Sequence, residues 1–318
     1  MSQKIVCSND LSGAPEAIKA FQDVGQLVQT DADRTKVLAE IEDCVAYMAA
    51  AHVQVDKDFL DKATKLKLIG SPNTGRDHLD LVLIQEKGIT LFDIAEEQDL
   101  LKSFTATSEL AFGLLLALVR KIPNALQASE KGYWAREHFT GFQLSGKTFG
   151  ILGLGRLGQI SARIAQGFGM HVIANDAKDV TYPGVEMVDF KTLLSKCDIL
   201  SLHVHLNEKN EHFINSEAIK LMKNNAIIIN TSRGRIIDET ALLSALHSKS
   251  IAGAALDVID GEWMTVDELS EHPLIKFARE NNNLIISPHI GGSTVESIHG
   301  ARIFMARKMA EFLKKNLL

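Results

Sequence analysis

Short apolar runs of strand length alternate with stretches of helical period along most of the chain. In the first hundred residues KIVCS (4–8), QLVQT (26–30), CVAYMAA (44–50), KLKLIGS (65–71) and ITLFD (89–93) read as strands. Between them APEAIKAFQDVG, TKVLAEIED and DFLDKATK carry the spacing of amphipathic helices, with Pro15 placed where a first helical turn accepts proline. Such alternation predicts an open parallel sheet with helices on both faces. From Ser103 the texture changes. Residues 105–134 read as two consecutive helices, the first apolar nearly all round and so expected to be buried, with Pro123 opening the second. Strand–helix alternation resumes at Thr148, where TFGILGL, HVIAND, DILSLHV, NAIIIN, IAGAALDV and NLIISP supply six further strands. These fit a second doubly wound sheet of the nucleotide-binding kind. One helix, 293–316, follows.

Composition narrows the class without naming it. The chain has 318 residues, enough for two domains, and is 46% hydrophobic and 23% charged, the balance of a soluble globular protein. A net charge of −6 gives no reason to expect nucleic acid or an anionic membrane as partner. The start, MSQKIVCSND, lacks a signal-peptide core, and the longest apolar run, LAFGLLLALV (110–119), is about half of a membrane span. Cys7, Cys44 and Cys197 are odd in number and widely spaced, as in reduced cytoplasmic proteins.

The sharpest chemical signal is ILGLGRLGQIS, a G-x-G-x-x-G turn built from Gly153, Gly155 and Gly158. A strand precedes it, a helix follows, and the next strand ends at Asp176, 18 residues after Gly158. In such a unit the first glycine permits a tight turn, the second lets backbone approach a diphosphate, and the third lets helix and sheet pack closely. The helix start, around Arg156 and Leu157, offers amides and partial positive charge to the phosphates. Asp176 would hold the adenosine ribose hydroxyls and repel a 2′-phosphate, which favours NAD over NADP.

Three later strand ends carry groups that could act on a substrate. NTSRGRIID places Arg233 just past a strand, where a guanidinium can grip a carboxylate in two parallel hydrogen bonds. SPHIGG places His289 after the last strand, and imidazole is the side chain best suited to exchange a proton near neutral pH. A lone histidine there is more often structural than catalytic. ALDVIDGE adds Glu262, which would hold one ring tautomer and favour the imidazolium if the two side chains met. Their meeting cannot be read from the sequence.

LSGKTFGILGLGRLGQISARIAQGFGMHV, INTSRGRIIDETALLSALHSKSIAGAALDV and SPHIGGST together resemble the D-isomer-specific 2-hydroxyacid dehydrogenases. The resemblance runs from about residue 65 to the end and is strongest over 144–257. LIGSPNTGRDHLD resembles that family's substrate loop, and SFTATSELAFGLLLALVRKI its hinge helix with Glu109. The resemblance implies an α/β fold of two doubly wound parallel-sheet domains, a flavodoxin-like substrate domain with an inserted Rossmann NAD-binding domain. The substrate domain would comprise 1–103 and 292–318, and the NAD domain 104–291 with its hinge helices, the active site lying in the cleft between them. It implies Arg233 as the clamp on the substrate carboxylate and carbonyl, His289 as acid/base, and Glu262 as its partner. Asn73, Thr74 and Gly75 would hold the other side of the carboxylate. Gly153, Gly155, Arg156, Leu157, Gly158, Asp176, His203, Thr231, Ser232, Asp257 and Gly291 would line the cofactor. NAD is the expected cofactor, a small 2-keto or 2-hydroxy acid the expected substrate, a homodimer the expected assembly, and the cytoplasm the expected compartment.

The chain departs from the family pattern in several places. Asn73 replaces a glycine of the substrate loop, and Arg76 nearby is expected to be solvated or salt-bridged more readily than bound to a substrate tail. HVH at 203–205 puts two histidines on one expected strand face, but no carboxylate or cysteine has metal-ligand spacing, so no metal is expected. The segment between Glu262 and His289 is longer than usual, and Trp263 and Met264 could contact substrate. The chain ends 29 residues after His289, so no appended regulatory domain is expected. Two rival readings remain at this level. One is an NAD-sensing binding protein or corepressor on the same scaffold. The other is a phosphite-type dehydrogenase; the formate branch is opposed by Glu262, because it pairs its histidine with glutamine.

Overall fold

A computed structural model describes residues 3–316. Along the chain the first strands and helices are β1 (Lys4–Cys7), α1 (Pro15–Gln22), β2 (Gln26–Gln29), α2 (Arg34–Glu40), β3 (Ala46–Met48), α3 (Lys57–Lys62), β4 (Leu68–Ser71), α4 (Leu81–Glu86), β5 (Thr90–Asp93) and α5 (Gln98–Leu101). Two further helices, α6 (Ala106–Val119) and α7 (Ile122–Glu130), precede the second run of strands. That run is β6 (Thr148–Leu152), α8 (Arg156–Gly167), β7 (His171–Asn175), β8 (Val185–Met187), α9 (Phe190–Lys196), β9 (Ile199–Leu202), α10 (Ser216–Lys220), β10 (Ile227–Asn230), α11 (Glu239–Ser248), β11 (Gly253–Leu256), α12 (Val266–Glu271), α13 (Pro273–Glu280) and β12 (Leu284–Ile286). The last helix is α14 (Val295–Asn316).

The chain divides into two compact units, one formed by the residues up to Phe104 together with those from Ser293 on, the other by Thr105–Gly292. The first holds a five-stranded sheet in the order β2-β1-β3-β4-β5, every described pairing parallel. Its three central strands, β1, β3 and β4, are buried on both faces, so successive residues feed different cores. Ile5, Cys7, Met48 and Leu68 pack with α14, whereas Val6, Tyr47 and Ile69 pack on the opposite side. The terminal helix belongs to this unit. It lies against α1 and β4, and Gly70 admits it: a Cβ there would sit 2.2 Å from the sulfur of Met309.

The second unit holds seven parallel strands in the order β12-β11-β10-β9-β6-β7-β8. The chain runs outward from β6 in both directions, so a crevice opens past the carboxyl ends of β6 and β9, where open α/β sheets bind ligands. Again the faces alternate: Leu152, Leu200, Ile228 and Leu256 enter one core, and Ile151, Ile199, Ile229 and Ala255 the other. The seventh strand, β8, escaped the sequence reading because it is three residues long and carries Glu186 exposed at its centre.

Two expectations are corrected here. Helix α6 is not buried all round: Ala111, Phe112, Leu115 and Val119 are covered, while Gly113 faces open space and Leu114 and Leu116 are half-buried. Low amphipathicity says that either face tolerates burial, not that both receive it. The apolar stretch is also longer than the single run suggested, since residues 98–119 meet the length and composition of a membrane span. They form two helices, α5 and α6, and α6 packs on α8 and the sheet. Helix α7 has no buried residue.

Candidate active site

The glycine turn leaves β6 with three glycines serving three purposes. Gly153 has φ +94°, and its hydrogen stands where a Cβ would lie 2.6 Å from the His203 carbonyl oxygen. Gly158 lies under the turn, where a Cβ would come within 2.1 Å of the Gly153 oxygen. Gly155 differs from both: a Cβ there would meet no protein atom within 4 Å, and its backbone is ordinary extended chain. It is also the N-cap of α8 and offers no side chain to the first-turn amides. A bare helix start facing open space is what a diphosphate requires.

Asp176, just past β7, accepts from the Leu154 amide (2.7 Å) and the Lys178 amide (2.8 Å). A carboxylate has further acceptor positions, so these bonds orient it beside the glycine turn and leave capacity for hydroxyl donors. Thr231, past β10, is buried with its hydroxyl oxygen unpartnered. Ser232 donates through both its amide and its hydroxyl to Asn230 Oδ1. At the end of β9, burial pushes the His203 imidazole down to about 4, so it is neutral at pH 7, and its Nε2 lies 2.9 Å from Ser201 Oγ. The strand ends at Leu202, so His203 and His205 do not share a strand face as expected. His203 is half-buried and His205 exposed.

Glycine contrast gives a direct check on this site. Gly155→Val is expected to raise the KM for NADH about tenfold or more, a loss of about 1.4 kcal/mol in binding, with the melting temperature little changed. Gly158→Ala is expected to destabilise the fold by about 1–3 kcal/mol through overpacking. Paired NADH titrations and thermal melts separate the two effects.

The candidate reacting groups stand past three adjacent strands, β10, β11 and β12. At about 4.8 Å between strands, the outer two are about 10 Å apart. His289 follows β12 with φ +51°, a left-handed conformation that costs a histidine about 1–2 kcal/mol. Asp257 holds the loop in that shape. It is 1% exposed; one oxygen accepts from Ser287 Oγ and the Ile290 amide, the other from the Gly291 amide. Asp257 and Gly291, expected along the cofactor, are therefore bonded to each other beneath the histidine loop. The physical reason is that a buried carboxylate needs donors, and the loop amides supply them.

Glu262 reaches this loop from beyond β11. Its Oε1 lies 2.8 Å from His289 Nδ1, and its Oε2 is buried without a partner. With Nδ1–H donating to the carboxylate, His289 Nε2 is the nitrogen left to exchange a proton. The Trp263 ring stands 5.8 Å from the imidazole, centre to centre, and Trp263 and Met264 are both exposed. Arg233 follows β10; its Nη1 donates to the Ser232 carbonyl (2.7 Å), and Asn230 Nδ2 donates to the Arg233 carbonyl (2.8 Å).

In the other unit, Asn73, Thr74 and Gly75 follow β4, at the carboxyl edge of that sheet, and Asn73 Nδ2 donates to Ser71 Oγ at 3.3 Å. Arg76 is salt-bridged: it forms a two-pronged pair with the nearly buried Asp93 (2.8 and 3.1 Å) and a longer contact with Glu96. Among the described residues no group of three His, Cys, Asp or Glu side chains could hold a metal ion.

Residues 112–291 match the family model for the NAD-binding domain of D-isomer specific 2-hydroxyacid dehydrogenases. The chain belongs to that family. It is 37% identical over 308 residues to D-3-phosphoglycerate dehydrogenase of Methanocaldococcus jannaschii, covering 95% of this chain but only 56% of that protein's length. To glyoxylate reductase of Thermococcus litoralis it is 37% identical over 296 residues, covering 90% of this chain and 83% of the relative. The crystal structure of D-lactate dehydrogenase from Aquifex aeolicus, complexed with NAD and lactic acid, superimposes with a TM-score of 0.85 at 27% identity. That match covers 99% of this chain and 96% of the other. These matches agree with the two-sheet α/β fold class expected from the sequence, and NAD is the family's cofactor.

Proposed function

We propose that the protein interconverts a small 2-keto acid and the corresponding D-2-hydroxy acid, with His289 as acid/base, Glu262 as its partner and Arg233 as carboxylate clamp. The observation that carries this reading is the 2.8 Å bond between Glu262 and His289 Nδ1 at the carboxyl edge of the NAD-binding sheet. The bare α8 start, Asp176 and the orphaned Thr231 hydroxyl fit the cofactor. When bound, the nicotinamide supplies a hydride in reduction and accepts one in oxidation. In the reductive direction the His289 imidazolium donates its Nε2 proton to the substrate carbonyl oxygen as the carbonyl carbon is reduced. Arg233 binds the carboxylate and stabilises charge building on the carbonyl oxygen. Glu262 stabilises the imidazolium before transfer and holds the ring in register afterwards. In oxidation the neutral imidazole takes the hydroxyl proton. We assign Asn73, Thr74 and Gly75 of the first unit to substrate binding, through their backbone amides.

We further propose a homodimer and a cytoplasmic setting. Exposed Ile122, Leu126, Trp134 and Phe142 form an apolar stretch on and after α7, which suits a second copy, and the three cysteines are buried free thiols. The test is a panel of 2-keto acids, including glyoxylate, hydroxypyruvate and its phosphate, and branched-chain acids, read by NADH absorbance and repeated with NADPH. Turnover of at least one with NADH preferred supports the reading. NADH binding with no turnover on any of them overturns it in favour of a sensor, and turnover of phosphite overturns the substrate class.

A further inference from the structure

The backbone of Asp260, two residues before Glu262, is held on both sides of its Cα. Its N–H donates to Glu239 Oε1 at 2.7 Å. Its carbonyl oxygen lies 3.2 Å from His272 Nε2, and the same nitrogen lies 3.3 Å from Glu239 Oε2. His272 Nδ1 accepts from the Leu274 amide at the start of α13 (3.3 Å). A ring nitrogen that accepts carries no proton, so the Nε2 proton is shared between Glu239 and the Asp260 carbonyl. The three groups close a ring through the N–H and the carbonyl on either side of the Asp260 Cα, and the His272 and Glu239 side chains are only 9% and 19% exposed.

That stretch of backbone touches both halves of the reacting machinery. Glu239 opens α11, six residues past Arg233. Between them Gly234 admits the 259–260 backbone: a Cβ there would lie 2.1 Å from the Ile259 carbonyl carbon and 2.4 Å from the Asp260 nitrogen. Downstream, Gly261 turns with φ +73° and delivers Glu262 to His289. One carboxylate oxygen of Glu262 bonds to His289, and the other is buried and unpartnered. Its aim is therefore set by the backbone that carries it. Burial raises the pKa of Glu239; the Asp260 amide, His272 and His212 counter this, and the Asp260 carboxylate adds to it.

We infer that Glu239 and His272 are positioning residues that clamp the Asp260 backbone and thereby fix the reach of Glu262 to His289 and the seat of the Arg233 turn. The inference rests on the reading of His289 and Glu262 as the acid–base pair. Misplacement of such a group by about 1 Å can cost about 10²-fold in rate.

Two variants separate positioning from folding. His272→Asn keeps an oxygen able to cap α13 but withdraws the donor from Glu239 and Asp260. Glu239→Gln keeps an acceptor for the Asp260 amide but sets an NH₂ against the His272 Nε2 proton. Each is expected to lower kcat for 2-keto acid reduction about 10–10²-fold, with the KM for NADH within about twofold. The double variant is expected to cost no more than the worse single one, since the two act as a unit. His289→Asn serves as the reference. If it retains near-full turnover, the acid–base reading fails. If it is inactive while His272→Asn and Glu239→Gln keep parental kcat, or lower kcat and raise the KM for NADH together in step with a lost melting temperature, the clamp is overturned.

Discussion

Replacing His289 with asparagine is expected to lower kcat for 2-keto acid reduction by about 10²–10⁴-fold, the range for losing a general acid. Asparagine is the informative choice because the position has φ +51°. Asparagine tolerates the left-handed region better than alanine, which would add backbone strain to the chemical loss. The Asp257 bonds to Ser287, Ile290 and Gly291 do not involve the imidazole, so the loop keeps its shape. The melting temperature is therefore expected to stay within a few degrees, and the KM for NADH within a few-fold. What disappears is the Nε2 proton and the partner of Glu262 Oε1. Steady-state kinetics in both directions, with a thermal melt of the same preparation, read all of this. A kcat within about fivefold of the parent would remove His289 from the mechanism, since general acid catalysis contributes far more than that.

The site illustrates which kinds of information a sequence carries. An unbroken apolar run, the mark of a strand buried on both faces, is strong local information, and runs such as NAIIIN and HVIAND coincide with β10 and β7. Three-residue β8 is too short and too polar to register, and only its pairing with β7 places it in the sheet. Candidate chemistry at strand ends is equally legible, because one strand and one turn suffice to place Arg233 or His289 at the edge. Meetings between side chains are not. Glu262 and His289 are 27 residues apart, and their bond depends on the φ +73° turn at Gly261 and the left-handed backbone at His289. Asp257 shows the same limit. A strand-end carboxylate looks available for a ligand until the fold shows three donors of the next loop converging on it. The clamp on Asp260 is less legible still, since it joins a helix start, a loop backbone and a residue of the long segment between Glu262 and His289.

Arg233→Lys is expected to lower kcat/KM for the keto acid by about 10²–10³-fold. A lysine keeps the charge but loses the planar fork that meets a carboxylate in two parallel bonds. Charge-assisted hydrogen bonds contribute about 1.5–3 kcal/mol each. Losing the fork and the contact to the developing oxyanion therefore removes about 3–4 kcal/mol, or about 10²–10³-fold at roughly 1.4 kcal/mol per decade. The turn at this position should survive, because the bond from Asn230 Nδ2 to the Arg233 carbonyl and the close approach at Gly234 involve backbone. The loss is thus expected in both kcat and the KM for the keto acid, while the KM for NADH stays within a few-fold. That pattern differs from the His289→Asn loss, which falls on kcat alone. It also gives a control within one variant: added guanidinium ion should recover part of the Arg233→Lys deficit without helping His289→Asn. An Arg233→Lys enzyme within about threefold of the parent would mean that the carboxylate is gripped elsewhere, and the clamp assignment would pass from β10 to another strand end.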